Sequence, residues 1–84
     1  MIATIEISLY PLNDDYINNV LEFIEALHQH EGLNIETNGM STQIFGEYHT
    51  VMRVLQSEMF ETLQKYNAIF VLKIGKGELR YQET

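Results

Sequence analysis

The sequence predicts an α+β domain with the ferredoxin-like βαββαβ arrangement, a four-stranded antiparallel sheet with two helices on one face. Three observations lead to this prediction. Four short segments have the apolar content or the period-two alternation of strands. Two longer segments repeat apolar residues at spacings of three and four, as amphipathic helices do. They follow one another as strand, helix, strand, strand, helix and strand, an order that two right-handed crossovers fold into one sheet.

The first strand is predicted from Ile2 to Tyr10, where apolar and mostly polar side chains alternate. One face of this strand carries the apolar side chains of Ala3, Ile5, Ile7 and Leu9. Pro11 cannot donate to a sheet ladder, so we expect it to end the strand.

The first helix is expected to begin at Asn13, a favourable N-cap residue, with Asp14 and Asp15 in the first turn, where the helix dipole favours negative charge. We expect it to run to about Glu31 and to end with Gly32 as its C′ residue. Its buried stripe is predicted to consist of Ile17, Val20, Leu21, Ile24, Leu27 and His28.

The second and third strands are predicted at Leu33 to Thr37 and at about Thr42 to Phe45, joined by an Asn38-Gly39 turn. Gly46 is expected to end the third strand.

The second helix is predicted from about Tyr48 to Tyr66, and the fourth strand from Ala68 to Ile74. The inner stripe of this helix is predicted to be Val51, Met52, Leu55, Met59 and Leu63. Gly75 and Gly77 are expected to break the last strand, and residues 78–84 to form a short extension or a frayed tail.

The composition favours one cytoplasmic domain spanning residues 1–84. No cysteine is present, which excludes disulfides, thiolate zinc sites, iron–sulfur clusters and a cysteine nucleophile. The net charge of −7 argues against nucleic-acid binding, because phosphate backbones attract basic surfaces. No apolar run approaches the roughly 20 residues of a membrane span, and no signal peptide is recognisable, so membrane insertion is not expected.

Nothing in the residue pattern predicts catalysis or a metal site, and we expect the protein not to be an enzyme. His28 and His30 would point about 200° apart on a helix, so they cannot chelate one metal ion together. Gly75-Lys76-Gly77 lacks the spacing of a phosphate loop.

Apolar residues on the second face of the sheet predict a homo-oligomer, either a dimer or a tetramer, that packs through its open sheet face or its edges. The face away from the helices is expected to carry Ile69, Val71, Ile2 and Phe45. The alternative is that these are isolated surface residues, which are normal in monomers.

The segment from Asn38 to Met52 is the best candidate for a ligand site, because a strand that runs into a helix start gathers backbone N–H groups and small polar side chains. Compact donors and acceptors come from Asn38, Ser41 and Thr42. Flat or polarizable apolar surface comes from Tyr10, Phe45 and Met40, and negative charge from Glu6, Glu36 and Glu47. This set suits a flat heteroaromatic ligand with a polar edge and some positive charge. The alternative is that Asn38 and Ser41 serve only the turn and that Thr42 is only a favourable strand residue.

Over nearly its whole length the chain resembles the hydroxymethylpyrimidine/thiamine-binding protein family, first catalogued as a domain of unknown function. The resemblance rests on an opening strand that ends in Pro11-Leu12 and on three central motifs and one late strand. These are Met40-Ser41-Thr42, Ile44-Phe45-Gly46-Glu47-Tyr48, Val51-Met52 and Phe70-Val71-Leu72-Lys73-Ile74. The sequence departs from the family pattern at three positions: many members have Gly at positions 13 and 41, and position 45 is commonly acidic.

The resemblance implies non-catalytic binding of thiamine or its hydroxymethylpyrimidine moiety, in a carrier or sensor role in thiamine supply or salvage, by an oligomeric cytoplasmic protein without a further cofactor. The ligand-binding residues that it implies are Thr42, Ser41, Asn38, Ser8, Tyr10 and Glu47. Two alternatives stay open, a ligand-free oligomeric interaction module and a regulatory small-molecule-binding domain of the ACT type.

Overall fold

The computed structural model describes residues 1–81 and contains six elements in the predicted order. They are β1 (Ile2–Pro11), α1 (Tyr16–His28), β2 (Asn34–Thr37), β3 (Thr42–Glu47), α2 (Tyr48–Lys65) and β4 (Ala68–Lys76). The four strands form one antiparallel sheet in the order β2-β3-β1-β4. The predicted ferredoxin-like arrangement is therefore confirmed.

The hydrophobic core lies between the sheet and the two helices. Strand β1 is central and pairs with β3 from Ile2↔Glu47 to Ile7↔Thr42, and with β4 from Ala3↔Lys76 to Pro11↔Ala68. Residues paired across antiparallel strands share a face. The buried apolar side chains on the helix side are Ala3, Ile5, Ile7, Phe23, Leu27, Ile44, Val51, Val54 and Leu55.

The opposite side of the sheet, the open face, is partly covered by residues 77–80, which we call the return segment. Gly77 N donates to Ile2 O at 2.8 Å. The Thr4 hydroxyl donates to Gly77 O at 2.7 Å and accepts from Leu79 N at 2.8 Å. The Arg80 guanidinium then lies 3.8 Å from the centroid of the Phe45 ring.

Phe45 was predicted to be exposed on the open face, and this prediction is wrong because the return segment covers it. The side chain is only 2% exposed. Ile2, Ile69 and Val71 are about half exposed, as expected. Assembly through these residues stays a prediction.

The predicted ends of the first helix need correction. The helix begins after Asp15, and the Asn13 side chain accepts a hydrogen bond from Asp15 N at 2.9 Å, so it closes a turn ahead of the helix. No acidic residue lies in the first helical turn. The helix ends at His28 with Gln29 as its C-cap, and Gly32, with φ +83°, lies in the loop before β2.

The buried stripes of both helices also differ from the prediction. In α1, Ile17, Leu21 and His28 are exposed, while Phe23 is buried. In α2, Leu63 is half exposed, and its neighbour Thr62 is buried. The spacing of apolar residues predicted one face of each helix as buried. The face that packs on the sheet is rotated about the helix axis from the predicted one.

Of the residues expected to end strands, Gly46 and Gly75 differ from the prediction, whereas Pro11 and Gly77 lie at strand ends as expected. Gly46 lies inside β3, and Gly75 lies inside β4. Pro11 is the last residue of β1 and pairs with Ala68. Gly77 has φ +90° and turns the chain into the return segment. Of the predicted extension or frayed tail, residues 82–84 lie outside the described residues.

Candidate functional site

A cleft of about 250 Å³ opens between α1 and the end of the sheet where β2 turns into β3. One wall is the last part of β1, residues 7–10, and the polar wall is residues 37–42. The third wall is the α1 surface formed by Val20, Phe23 and Ile24. Pockets for drug-sized ligands are about 300–1,000 Å³, so this cleft suits a single ring rather than a larger ligand.

Asn38 shapes the turn in the polar wall. Its side-chain oxygen accepts hydrogen bonds from Met40 N at 2.8 Å and Ser41 N at 3.1 Å, and its own N–H donates to Ser41 O at 3.0 Å. The two bonds occupy both lone pairs of the Oδ1 atom. Any bond from the Asn38 side chain to a ligand therefore has to come from its NH₂ group.

Thr42 is 5% exposed and lines the cleft. It pairs with Ile7 in the sheet, which places its side chain on the helix side. Its hydroxyl lies 3.1 Å from the Thr37 hydroxyl on β2. One of the two hydroxyls donates to the other, so the pair retains one donor proton and free acceptor lone pairs.

Ser41 lines the cleft, but its hydroxyl is directed to the open face. Ser41 Oγ donates to Glu6 Oε2 at 3.0 Å, and Glu6 Oε1 lies 3.7 Å from Lys73 Nζ. The hydroxyl proton of Ser41 is thus used within the protein.

Ser8 and Tyr10 lie in the part of β1 that extends beyond its pairing with β3, and both residues line the cleft. They pair with Val71 and Ile69, and strand alternation puts all four side chains on the open face. Tyr10 is 53% exposed. The structure therefore brings Ser8 and Tyr10 to the rim of the cleft.

Glu47 is not brought together with the other predicted site residues. It lies at the opposite end of β3 from Thr42, about 17 Å away for five residues of extended chain. Its carboxylate accepts from Thr50 N at 2.8 Å and from Thr50 Oγ1 at 3.1 Å, which makes it the N-cap of α2. The backbone hydrogen bond from Thr50 is the main cause that holds the pKa of Glu47 below its usual value.

Of the residues predicted to give flat surface and negative charge, Phe45 and the three glutamates do not line the cleft, whereas Tyr10 and Met40 do. Phe45 and Glu36 are on the open face, where Arg80 contacts the ring and forms an ion pair with the carboxylate. Met40 lines the cleft and is 88% exposed.

The α1 wall was not predicted to be part of the site. Phe23 packs against Phe70 with ring centroids 5.1 Å apart and an interplanar angle of 52°. Val20 and Ile24 were recognised only as members of a helical stripe. That stripe was the available signal, but it does not show which loop the helix faces.

The fold and the cleft define a class of protein: a small ferredoxin-like domain with a preformed cleft of single-ring size, apolar on its helix wall and polar at the β2–β3 turn. A profile of the YKOF-related family matches residues 2–74. The chain belongs to the YKOF-related family.

Solved structures share this fold. A Streptococcus pneumoniae protein superposes with a TM-score of 0.84 at 27% identity, covering 94% of this chain and 90% of that chain. A candidate thiamine biosynthesis/salvage protein of Thermotoga maritima superposes with a TM-score of 0.82 at 18% identity, covering 92% and 85%. A domain of unknown function from Bacillus cereus superposes with a TM-score of 0.74 at 22% identity, covering 92% of this chain and 77% of that chain. At 18% and 22% identity the similarity shows the fold alone.

Comparison with curated protein sequences finds no match. Within residues 1–81, no group of three or more His, Asp or Glu side chains is arranged to hold a metal ion. In the same part of the chain, neither helix combines the length and the apolar character that crossing a membrane requires.

Proposed function

We propose that the protein binds thiamine, or its hydroxymethylpyrimidine moiety, without chemical conversion, as a cytoplasmic carrier or sensor in thiamine supply or salvage. The aminopyrimidine ring would occupy the cleft. The observation that carries the proposal is the Thr37–Thr42 hydroxyl pair, which faces a cleft with an apolar wall.

The chemistry of the cleft complements an aminopyrimidine. That ring places an amino donor next to a ring-nitrogen acceptor, and the hydroxyl pair offers acceptor lone pairs and one donor proton. The Asn38 NH₂ group adds a second donor at the turn. The faces of the ring would lie against apolar side chains of α1 and β1, of which Phe23 and Leu9 line the cleft.

Two further observations support this ligand class. The net charge of −7 favours a ligand that carries positive charge, as the thiazolium of thiamine does. The structural similarity to the Thermotoga maritima candidate thiamine biosynthesis/salvage protein supports a role in thiamine metabolism. Phosphorylated thiamine is the poorer candidate, because its negatively charged phosphate would be repelled by the net negative charge of the protein.

The test is isothermal titration of thiamine and of hydroxymethylpyrimidine into the wild type, Thr42→Val and Thr37→Val, at two temperatures, since a binding enthalpy can vanish at one. Valine keeps the branched shape and removes the hydroxyl. We expect the wild type to bind and each variant to lose about 1–3 kcal/mol of binding free energy. Thr62→Val, which replaces a buried threonine outside the cleft, is the matched control and should bind normally.

Folded wild type that binds neither compound at either temperature would refute the proposal. A homo-oligomeric interaction module is the second candidate, favoured by the exposed Ile2, Tyr10, Ile69 and Val71 on the open face. A concentration-dependent oligomer in sedimentation, together with absent ligand binding, would support this second function.

A further inference from the structure

The polar wall of the cleft is tied to the opposite face of the sheet through Glu6. We propose that Glu6 is a positioning residue for the ligand site: from the open face it holds the β2–β3 turn, residues 38–41, in its binding position through the Ser41 hydroxyl. This inference rests on the proposed function, because it assigns a role at that same cleft.

The turn is shaped by Asn38 but oriented by Ser41. The hydrogen bonds of Asn38 run to Met40 N, Ser41 N and Ser41 O, so they stay within the turn. None of them reaches β1 or α1. The Ser41 hydroxyl instead reaches β1, at Glu6 Oε2. A hydrogen bond to a charged acceptor is stronger than one between neutral groups, which suits an anchor.

Glu6 is a rigid anchor point. It lies in the centre of the sheet, where β1 is hydrogen-bonded on both sides, and pairs with Gln43 on β3 and with Lys73 on β4. Its second oxygen lies 3.7 Å from Lys73 Nζ, so the carboxylate is attracted from two directions. The Lys73 side chain is 83% exposed, and its contribution is small because water screens it.

Ser41 transmits this anchoring to the cleft because it directly precedes Thr42. Losing the bond to Glu6 frees the turn, with Asn38, Met40 and Ser41, to move away from α1. The Thr37–Thr42 hydroxyl pair belongs to the β2–β3 ladder and stays in place. We therefore expect the cleft to widen while its hydroxyl pair stays intact. The affinity for the aminopyrimidine ring should then fall.

The experiment compares Glu6→Ala, Glu6→Gln, Ser41→Ala and the double variant Glu6→Ala/Ser41→Ala. The first measurement is amide hydrogen exchange by NMR in the ligand-free protein. Exchange at Met40 and Ser41 should be about fivefold faster in Glu6→Ala, the effect of one lost hydrogen bond. Exchange at the buried Leu55 should not change, and Glu6→Gln, which keeps an acceptor oxygen, should restore slow exchange at the turn.

The second measurement is thiamine affinity by titration. We expect Glu6→Ala and Ser41→Ala to weaken binding by similar factors, and the double variant to be no worse than either, because both remove the same bond. Glu36→Ala is the matched control, since it removes another open-face carboxylate whose partner is Arg80. It should leave exchange at the turn and thiamine affinity unchanged.

The outcomes separate the two proposals. Unchanged exchange at Met40 and Ser41 in Glu6→Ala overturns the positioning role, whatever the ligand result. The positioning role is also overturned if the wild type binds thiamine and Glu6→Ala shows faster exchange at the turn but the same thiamine affinity. Faster exchange together with no thiamine binding by the wild type would refute the proposed ligand, and the role of Glu6 in ordering the turn would stand.

Discussion

Glu47 uses its carboxylate to cap a helix. Both of its hydrogen bonds come from Thr50, one from the backbone N–H and one from the hydroxyl. The backbone bond is the largest cause of its lowered pKa and outweighs the opposing effect of desolvation. A carboxylate at a helix N-terminus is also favoured by the helix dipole. The residue therefore has a structural role independent of any ligand.

This cap makes stability depend on pH in a defined direction. Because the pKa of Glu47 is lower in the folded protein, its contribution is complete above the ordinary pKa of 4.5 and is lost as the pH falls through the lowered value. We expect Glu47→Gln to be less stable than the wild type near neutral pH, and the difference to shrink on acidification. Urea unfolding at a series of pH values measures this difference in the free energy of unfolding.

A matched control for the lost charge is Glu25→Gln, on the exposed surface of α1. Its difference from the wild type should not show the same loss in acid. Parallel stability curves for Glu47→Gln and the wild type across the acid range would contradict the assigned role of the cap.

At the level of the elements, β3 is closely approached by α2 and by the loop before β2. Its Gly46 lies where α2 and the loop before β2 approach the strand. A Cβ atom at this position would lie 3.0 Å from Val51 Cγ2 and 3.2 Å from the backbone oxygen of Gly32. The backbone oxygen cannot rotate away as a side chain can, so a Cβ atom here would require the strand or the loop to shift.

Gly46→Ala should therefore destabilise the protein by about 1–3 kcal/mol through overpacking. Gly39→Ala is the matched control, because a Cβ there meets no atom within 4 Å and the residue is not among those with positive φ. It should change stability by no more than about 0.5 kcal/mol. Denaturant unfolding compares the two variants, and equal effects would disprove the close-approach argument.

The order and type of the elements could be predicted, because periodicity reports local geometry that burial then enforces. The polar turn at Asn38 was predictable because an Asn-Gly pair favours a turn. Phe23 in the cleft wall was not, since only the folded topology brings α1 against the β2–β3 turn. The cover over Phe45 was equally inaccessible, because residues 77–80 have no periodic pattern and are placed by Thr4 on the distant β1.

In the molecule as a whole, the return segment divides the open face into two regions. Near β3 it covers Phe45, with Arg80 stacked on the ring and paired with Glu36 and Glu78. Near β4 the face remains apolar and exposed at Ile69 and Val71. Any partner on this face therefore meets β4 and the end of β1 rather than β3.

Arg80→Ala should uncover the Phe45 ring. We expect a loss of about 1 kcal/mol in the free energy of unfolding, because cation–π contacts and exposed ion pairs are each weak. Binding of a dye that fluoresces on apolar surfaces should rise. Arg80→Lys should be intermediate, since an ammonium cannot stack flat on the ring.

Arg53→Ala, on the exposed surface of α2, controls for the lost positive charge. It should leave both the stability and the dye fluorescence near those of the wild type. Equal dye fluorescence in Arg80→Ala and the wild type would show that Arg80 does not shield the ring.

The central position of β1 also determines when the sheet can be completed during synthesis. One edge of β1 pairs with β3, and the other edge pairs with β4, which is synthesised last of the four strands. In this second pairing, Ala68 lies opposite Pro11 and Lys76 lies opposite Ala3. Pairing of segments so distant in sequence has a high entropic cost of loop closure, which slows folding. A nascent chain halted before residue 68 would present the whole length of β1 as an unpaired edge, the kind of surface that recruits other strands. The interval before β4 pairs with β1 is therefore the stage of synthesis at which this domain is most exposed to aggregation.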